Sequence, residues 1–215
     1  MKKRIFDSEH KIDESYRQYI MGRDFHRYNW LIEKFRWIKY GDWLAEPRYS
    51  APFDDAEKIV VRQTADSIIA NLDSNKYLSL KNVHNLRITS PRLTYKYLLG
   101  ILNSKLISWW YQNLIPEKKR VFAEVKVVNL KKLPIKTIDF SNSYELVQHD
   151  RMVEMVDQML DLQKKYHSAR METEKNLYKK QIQILDRQID QTVYQLYQLS
   201  DAEIKIIEED ASEKN

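Results

Sequence analysis

The sequence predicts an α+β fold, in which a mixed or antiparallel curved sheet with one long buried helix is followed by a C-terminal α-helical hairpin. Short β-branched runs such as Lys58–Thr64 lie in the first part of the chain. Leucines then recur at helical spacing, at Leu98, Leu102 and Leu106. Beyond residue 144 the apolar period is helical throughout. Together these observations predict sheet and helix in the first part of the chain and helices alone in the second.

Four runs are predicted to be strands. Lys58–Thr64 and Ser67–Leu72 are separated only by Ala65-Asp66, which predicts two strands with a tight connection. Asn85–Thr89 alternates apolar and polar residues, which predicts another strand. Val121–Val128 is predicted to be a strand whose alternate residues face opposite sides.

The long helix is predicted to begin at Ser90-Pro91, because proline is favoured in the first turn of a helix. The leucine spacing continues to Trp109 and Trp110, so about four turns are expected to be buried. Asn103-Ser104-Lys105 is a polar break within this apolar pattern.

The predicted hairpin has two apolar seams that step by three and four residues. The seams are Met152, Met155, Met159, Leu162 and Tyr166, and then Tyr178, Ile182, Leu185, Ile189, Val193 and Leu196. Residues 167–175 lack an apolar stripe, so two antiparallel helices are expected there. Ser200 and Glu203 form a capping box that starts a short last helix at Ala202–Glu209. Turn-forming residues near Thr137–Tyr144 predict a division into residues 1–140 and 141–215.

The composition is that of an ordinary globular protein, with 43% hydrophobic and 31% charged residues. The chain has no cysteine, which excludes disulfides, thiolate nucleophiles and sulfur-bound zinc. No apolar run approaches the ~20 residues of a membrane span, and the basic start lacks the apolar stretch of a signal peptide. We therefore expect a cytoplasmic protein without membrane contact.

Charge is distributed unevenly along the chain. Residues 1–149 hold 26 Lys and Arg against 17 Asp and Glu, whereas residues 150–215 hold 10 against 14. A basic part joined to an acidic part suggests that only the first faces a polyanion. Surface lysines and arginines that merely keep the protein soluble would produce the same count.

Four groups of motifs occur in order along the chain. They are Gly22–Tyr28 (GRDFHRY); Tyr40–Leu44 (YGDWL) with Pro47-Arg48 and Lys58–Arg62 (KIVVR); Leu102–Leu106 (LNSKL) with Phe122–Lys126 (FAEVK) and Leu133–Ile135 (LPI); and Ile189-Asp190 with Val193–Leu199 and Glu203-Ile204. In this order and with this content the sequence resembles the TaqI-like C-terminal specificity domain of type IIG restriction–modification N6-adenine DNA methyltransferases.

The resemblance implies that residues 1–140 form a target recognition domain that binds double-stranded DNA and performs no chemistry. Residues 141–215 would then be a spacer or docking arm. A methyltransferase or nuclease lobe, in cis or in trans, would be the partner, and the chain would be an excised C-terminal fragment or a stand-alone subunit.

No Gly-x-Gly and no adjacent prolines occur, so the sequence lacks the S-adenosylmethionine loop and the adenine-holding segment of such enzymes. S-adenosylmethionine and magnesium are therefore expected only in the parent enzyme's other domains, with no cofactor in this chain.

Basic and aromatic residues supply the candidate DNA contacts. Arginine can bind guanine edges or phosphates in a bidentate manner, whereas a cluster of charges in a loop suits phosphate anchoring. The candidates are Arg23, Arg27, Tyr40, Arg48, Arg62, Lys118, Lys119, Arg120 and Lys126. The alternative for each is a packing or solvent-exposed role; Asp24, for example, could pair with Arg27 inside its own loop.

Two other functions stay open. Glu124 and Lys126 share a strand face and form half of a nuclease metal site, which would need an aspartate such as Asp54 or Asp55 beside it. Alternatively, the chain is a helical-hairpin assembly module that dimerises through its seam without binding DNA. The five histidines show no metal-ligand spacing, so no metal site is expected from them.

Overall fold

The structure is a computed structural model, and it describes residues 6–114 and 124–212. A four-stranded mixed sheet contains β1 (Asp7–Ser8), β2 (Tyr16–Ile20), β5 (Arg36–Lys39) and β8 (Leu78–Ser79). Its strand order is β1-β5-β2-β8, and within it only the β2–β8 pair is parallel. Strands β3 (Phe25–His26) and β4 (Asn29–Trp30) form a small hairpin.

The third sheet contains β6 (Lys58–Arg62), β7 (Ala70–Asp73) and β9 (Val83–Leu86). It is antiparallel, with the order β7-β6-β9. Strand β6 is buried on both faces because Ile59 and Val61 join one core cluster and Val60 joins another. This double burial explains its nearly continuous apolar sequence. The predicted α+β class is confirmed, with the strands distributed over three sheets.

The predicted long helix consists of two helices, α1 (Tyr95–Leu102) and α2 (Lys105–Leu114). They are interrupted where Asn103 turns its amide to strand β7. The Asn103 side chain accepts a hydrogen bond from the Ala70 amide at 3.0 Å and donates one to the Ala70 carbonyl at 3.1 Å. Helix α1 begins at Tyr95, four residues after Pro91, so the predicted start at Ser90-Pro91 is wrong.

The C-terminal part forms the predicted hairpin. Helix α4 (Ser143–Ser168) and helix α5 (Glu172–Leu196) are joined by three residues and pack side by side, and α6 (Asp201–Ser212) follows. The Asn142 side chain caps α4 by accepting from the Tyr144 and Glu145 amides. The predicted capping box is present, since Ser200 donates to the Glu203 carboxylate through its amide at 2.8 Å and its hydroxyl at 2.7 Å.

Two predicted strands need correction. In the described part of the run Val121–Val128, Glu124 forms an isolated bridge with Thr64, and Val127–Leu130 forms a short helix, α3, where a strand was predicted. Residues 121–123 lie outside the described part of the chain. The strand predicted at Asn85–Thr89 is β9, which begins and ends earlier in the chain.

One core cluster joins the two parts of the chain. It contains Val61 of β6 and Leu99 of α1 together with Met152 of α4 and Val193 of α5, all fully buried. The helices after residue 140 therefore bury the helices before it. A division of the chain near residue 140 stays a prediction.

Gly100 marks the close approach of α1 to α4. An added Cβ atom would lie 2.5 Å from Met152 Sδ and 3.1 Å from Val156 Cγ2. We expect Gly100→Ala to lower the free energy of unfolding by about 1–2 kcal/mol, because overpacking outweighs the better helix propensity of alanine. Urea unfolding checks this. Adding Met152→Ala should make the two losses less than additive, and simple additivity would contradict the predicted contact.

Candidate nucleic-acid interface

A groove of about 610 Å³ runs along the edge of strand β9. It is lined by the segment 83–90, by Arg48 with residues 50–52, and by residues of α3 together with Leu93 and Leu98. We call it the basic groove because Arg48, Lys81, His84, Arg87 and Lys131 line it and none of the described lining residues is acidic.

Helix α3 is held against β9 by Val125, which lies just before it. The Val125 amide donates to the Gln63 carbonyl at 2.6 Å, and the Val125 carbonyl lies 2.6 Å from His84 Nε2. Leu130 and Leu133 pack on the main core. A short helix with exposed side chains is therefore fixed at the rim of the groove.

The charges of the groove differ in how far they are neutralised. Lys81 pairs with Glu46 at 3.0 Å, and Arg87 forms two hydrogen bonds of 2.5 and 2.6 Å with Asp55. Lys131 has no ion-pair partner within residues 6–114 and 124–212. Lysines 126 and 132 are exposed on either side of it and are equally unpaired there. The lysines of this surface that have no ion-pair partner in the described ranges thus lie at and beside α3.

Arg48 is held in place from two directions. Its backbone has a φ of 53°, in the left-handed region that is uncommon for a residue with a Cβ atom. Its guanidinium donates to the Ser79 carbonyl and lies 5.4 Å from the centre of the Phe53 ring. Burial lowers the pKa of Arg48, against the opposing effect of Glu46. Arginine nevertheless stays protonated, so Arg48 supplies a fixed positive charge.

Of the other candidate residues, Lys126 lies beside the groove, whereas Lys118, Lys119 and Arg120 fall outside the described residues. Arg23 is exposed in a different concavity, of about 1080 Å³, which Phe35 and Trp37 also line. Of the candidates that the structure places at a concavity, Arg48 and Lys126 therefore lie at the basic groove and Arg23 lies at a different surface.

Three candidates make internal contacts. Arg27 pairs with Asp186 of α5 at 2.5 Å, and not with Asp24, which pairs with Arg36. The guanidinium of Arg62 donates to the Phe25 carbonyl. The Tyr40 hydroxyl donates to the Pro47 carbonyl at 2.7 Å.

The Arg27 ion pair belongs to a partly buried polar junction that joins residues from three of the sequence motifs. The Lys105 amide, at the start of α2, donates to the Asp190 carboxylate at 2.9 Å. The Lys105 ammonium lies 2.6 Å from Glu208, which also accepts from the Tyr194 hydroxyl at 2.8 Å. These residues fasten the part of the chain before residue 140 to the C-terminal helices. Their motifs therefore reflect packing between segments that are distant in the chain.

Asp190 is the least solvated acid of the junction. Its side chain is 2% exposed, and Oδ2 lacks a hydrogen-bond partner among the described residues, with the Lys105 ammonium 3.8 Å away. Burial raises the pKa of Asp190 to about 7, aided by the charge of Asp186 and opposed by the Lys105 amide and by the charges of Arg27 and Lys105.

Sequence reasoning missed Lys81, Arg87, Lys131 and Lys132. The adjacent lysines 131 and 132 were visible as a charge pair after the predicted strand, but only the helical conformation of α3 places Lys131 in the groove beside β9. No sequence pattern around Lys81 or Arg87 distinguishes these residues from other surface cations.

The nuclease hypothesis finds no support in the geometry. Glu124 accepts a hydrogen bond from Gln63, Asp54 pairs with Arg17 at 2.8 Å, and Asp55 pairs with Arg87. No group of three or more acidic or histidine side chains that could hold a metal occurs in residues 6–114 and 124–212. Every helix within these ranges is too short or too polar to cross a bilayer.

Comparison with known proteins agrees with the resemblance seen in the motifs. A search of curated proteins found no match. The sequence model of the TaqI-like C-terminal specificity domain matches residues 17–135, just over half of the chain, which include β3 to β9, α1 to α3 and every residue that lines the basic groove. The chain belongs to the TaqI-like C-terminal specificity domain family, whose members recognise the DNA target in restriction–modification enzymes and are not themselves catalytic.

Proposed function

We propose that this chain binds a specific double-stranded DNA sequence in the basic groove and holds the duplex for a separate methyltransferase lobe. The observation that carries the proposal is an acid-free, cationic groove inside the segment that matches a DNA specificity family. Protein surfaces that contact DNA are strongly positive, because each neutralised phosphate releases condensed counterions.

The exposed lysines and Arg48 are suited to different contacts with DNA. Lys126, Lys131 and Lys132 are exposed and unpaired in the described structure, so they can move to nearby phosphates. Arg48 is fixed by its backbone and by Ser79, and a fixed guanidinium is suited to a base edge. Lysines around α3 would then anchor the duplex, and Arg48 would contribute to reading it.

The chemistry would belong to other domains. S-adenosylmethionine, and magnesium if the parent enzyme cleaves DNA, would be bound by a lobe in cis or in trans. The C-terminal helices would serve as the spacer or docking arm, because residues 150–215 hold 14 acidic against 10 basic residues and this balance disfavours contact with DNA.

The hairpin could also bring two copies together. Leu177 and Ile184 lie seven residues apart on α5 and are 54% and 49% exposed. Residues at this spacing share one face of a helix, and this face would carry the dimer contact, because Leu185, Ile189 and Val193 of the predicted seam are buried in the core of the chain itself. Sedimentation at increasing concentration tests it, with Leu177→Ser/Ile184→Ser expected to shift the protein toward monomer.

The test of DNA recognition is selection from a pool of random duplexes at low and moderate salt, followed by sequencing of the retained fraction. We expect salt-sensitive retention with an enriched short motif. Failure to retain any duplex at low salt would exclude the function proposed for the groove.

A triple variant locates the binding surface. Lys126→Ala/Lys131→Ala/Lys132→Ala should weaken binding to all sequences and reduce the slope of log K against log salt by up to about 3, roughly one per phosphate contact. Lys164→Ala/Lys179→Ala/Lys180→Ala, on exposed hairpin positions, is the matched control and should leave the slope unchanged. Equal effects of the two triples would mean that charge acts without regard to position.

A further inference from the structure

Helix α3 exposes two large apolar side chains in a segment that is flanked by exposed lysines. Val127 is 49% and Val128 57% exposed, and Val127 lines the basic groove. Lys126 precedes the two valines, and Lys131 and Lys132 follow them, all exposed. An occupant of this surface must therefore be anionic around its edge and present apolar groups at its centre.

The valines are held rigidly. The Leu130 amide donates to the Lys126 carbonyl and the Lys131 amide to the Val127 carbonyl, each at 3.0 Å. Val125, just before α3, is fully buried. Valine is restricted at χ1 by its β-branch, so little side-chain entropy is lost when these residues make a contact. A rigid segment of this kind is better suited to contacting bases than a flexible linker would be.

The major groove of DNA offers the matching chemistry. It is about 12 Å wide, admits a helix, and is edged by phosphates. The C5 methyl group of thymine is the apolar feature on its floor, and small apolar side chains contact it. An acidic protein surface would match the lysines, but it does not explain why the valines lie at the rim of a groove within the DNA specificity segment.

We propose that Val127 and Val128 recognise thymine through its C5 methyl group. The inference rests on the proposed function and deepens it, because it names α3 as the reading element and thymine as a base in the target. Lys131 and Lys132 would hold the flanking phosphates while the valines cover the methyl group.

Replacing thymine by uracil removes only the methyl group and tests the contact directly. In the duplex selected from the random pool, each thymine is replaced in turn by deoxyuridine and binding is measured by fluorescence anisotropy. We expect a loss of roughly three- to tenfold at one or two positions, the size expected for one buried methyl group. Val127→Ala/Val128→Ala should bind the thymine duplex more weakly and lose this discrimination.

Val147→Ala is the control, because Val147 is 62% exposed on α4, away from the groove. It should keep the full preference for thymine over uracil. Equal binding of thymine and uracil at every position would overturn the inference and leave DNA recognition intact. The inference is also overturned if the alanine variant still prefers thymine to the wild-type extent. If no duplex is retained, both the inference and the proposed function are wrong. Circular dichroism spectra that match wild type show that the variants are folded.

Discussion

Asp73→Ala is expected to lower the free energy of unfolding by about 3–5 kcal/mol, the typical loss when one member of a buried ion pair is removed. The Lys58 ammonium lies 2.5 Å from the Asp73 carboxylate, and both side chains are fully buried. The two residues face each other across β6 and β7. Asp73 also accepts from the Asn75 amide at 2.7 Å and the Tyr77 amide at 3.1 Å. Its removal therefore leaves a buried cation and two amides without their acceptor.

The double variant Lys58→Met/Asp73→Asn distinguishes the ion pair from the packing around it. It removes both charges and keeps a side-chain carbonyl for the turn, so it should recover most of the loss. Urea unfolding of both variants at pH 7 provides the measurement. A loss below about 1 kcal/mol in Asp73→Ala would mean that Lys58 reaches solvent and that the pair is not buried as described.

The helices were predictable because their apolar seams are long. The seams from Met152 to Tyr166 and from Tyr178 to Leu196 lie within α4 and α5, and the Ser200 capping box starts α6. Over this length the 3.6-residue period is unambiguous. The strands β6 and β7 were predicted for a related reason, since both are buried on two faces and β-branched residues dominate β6.

The N-terminal strands were not predicted, because several have only two residues and their order in the sheet depends on distant partners. Strand β2 pairs with β8, which lies much later in the chain. Likewise, the helix break at Asn103 depends on hydrogen bonds to Ala70, 33 residues away. Val127–Leu130 contains β-branched valines, yet it forms a helix because Val125 is already held by Gln63 and His84. Tertiary contacts override local propensity in each case.

The candidate site was predictable in kind but not residue by residue. Basic residues in the first part of the chain indicated a polyanion, and Arg48 and Lys126 do lie at the basic groove. Arg27 looks the same in the sequence as a DNA-binding arginine, because its partner Asp186 lies 159 residues later. An arginine satisfies its guanidinium equally well with a phosphate or with a carboxylate of its own chain, and sequence spacing does not distinguish them.

The junction predicts an unusual dependence of stability on pH. Asp190 has a pKa of about 7 in the folded protein, whereas its ordinary value is 3.8. The folded state therefore binds a proton more tightly than the unfolded state. The contribution of Asp190 to stability is fully present below about pH 4 and is lost as the pH rises to about 7, by a total of about 4 kcal/mol. Asp190→Asn should lack this loss, since the amide is neutral at every pH and can still accept from Lys105.

Urea unfolding at pH 5 and pH 8 measures the effect as the difference between wild type and variant. We expect Asp190→Asn to gain stability relative to wild type at pH 8 by about 2–4 kcal/mol more than at pH 5. Asp161→Asn is the control, because this carboxylate is 68% exposed and lies 3.7 Å from Lys164. The free energy of unfolding of this variant should change with pH as that of wild type does, since exposed ion pairs contribute little to stability. A relative stability of Asp190→Asn that does not change with pH would mean that Arg27 and Lys105 compensate the buried charge fully. The junction would then fasten the C-terminal helices to the part of the chain before residue 140 equally well at every pH.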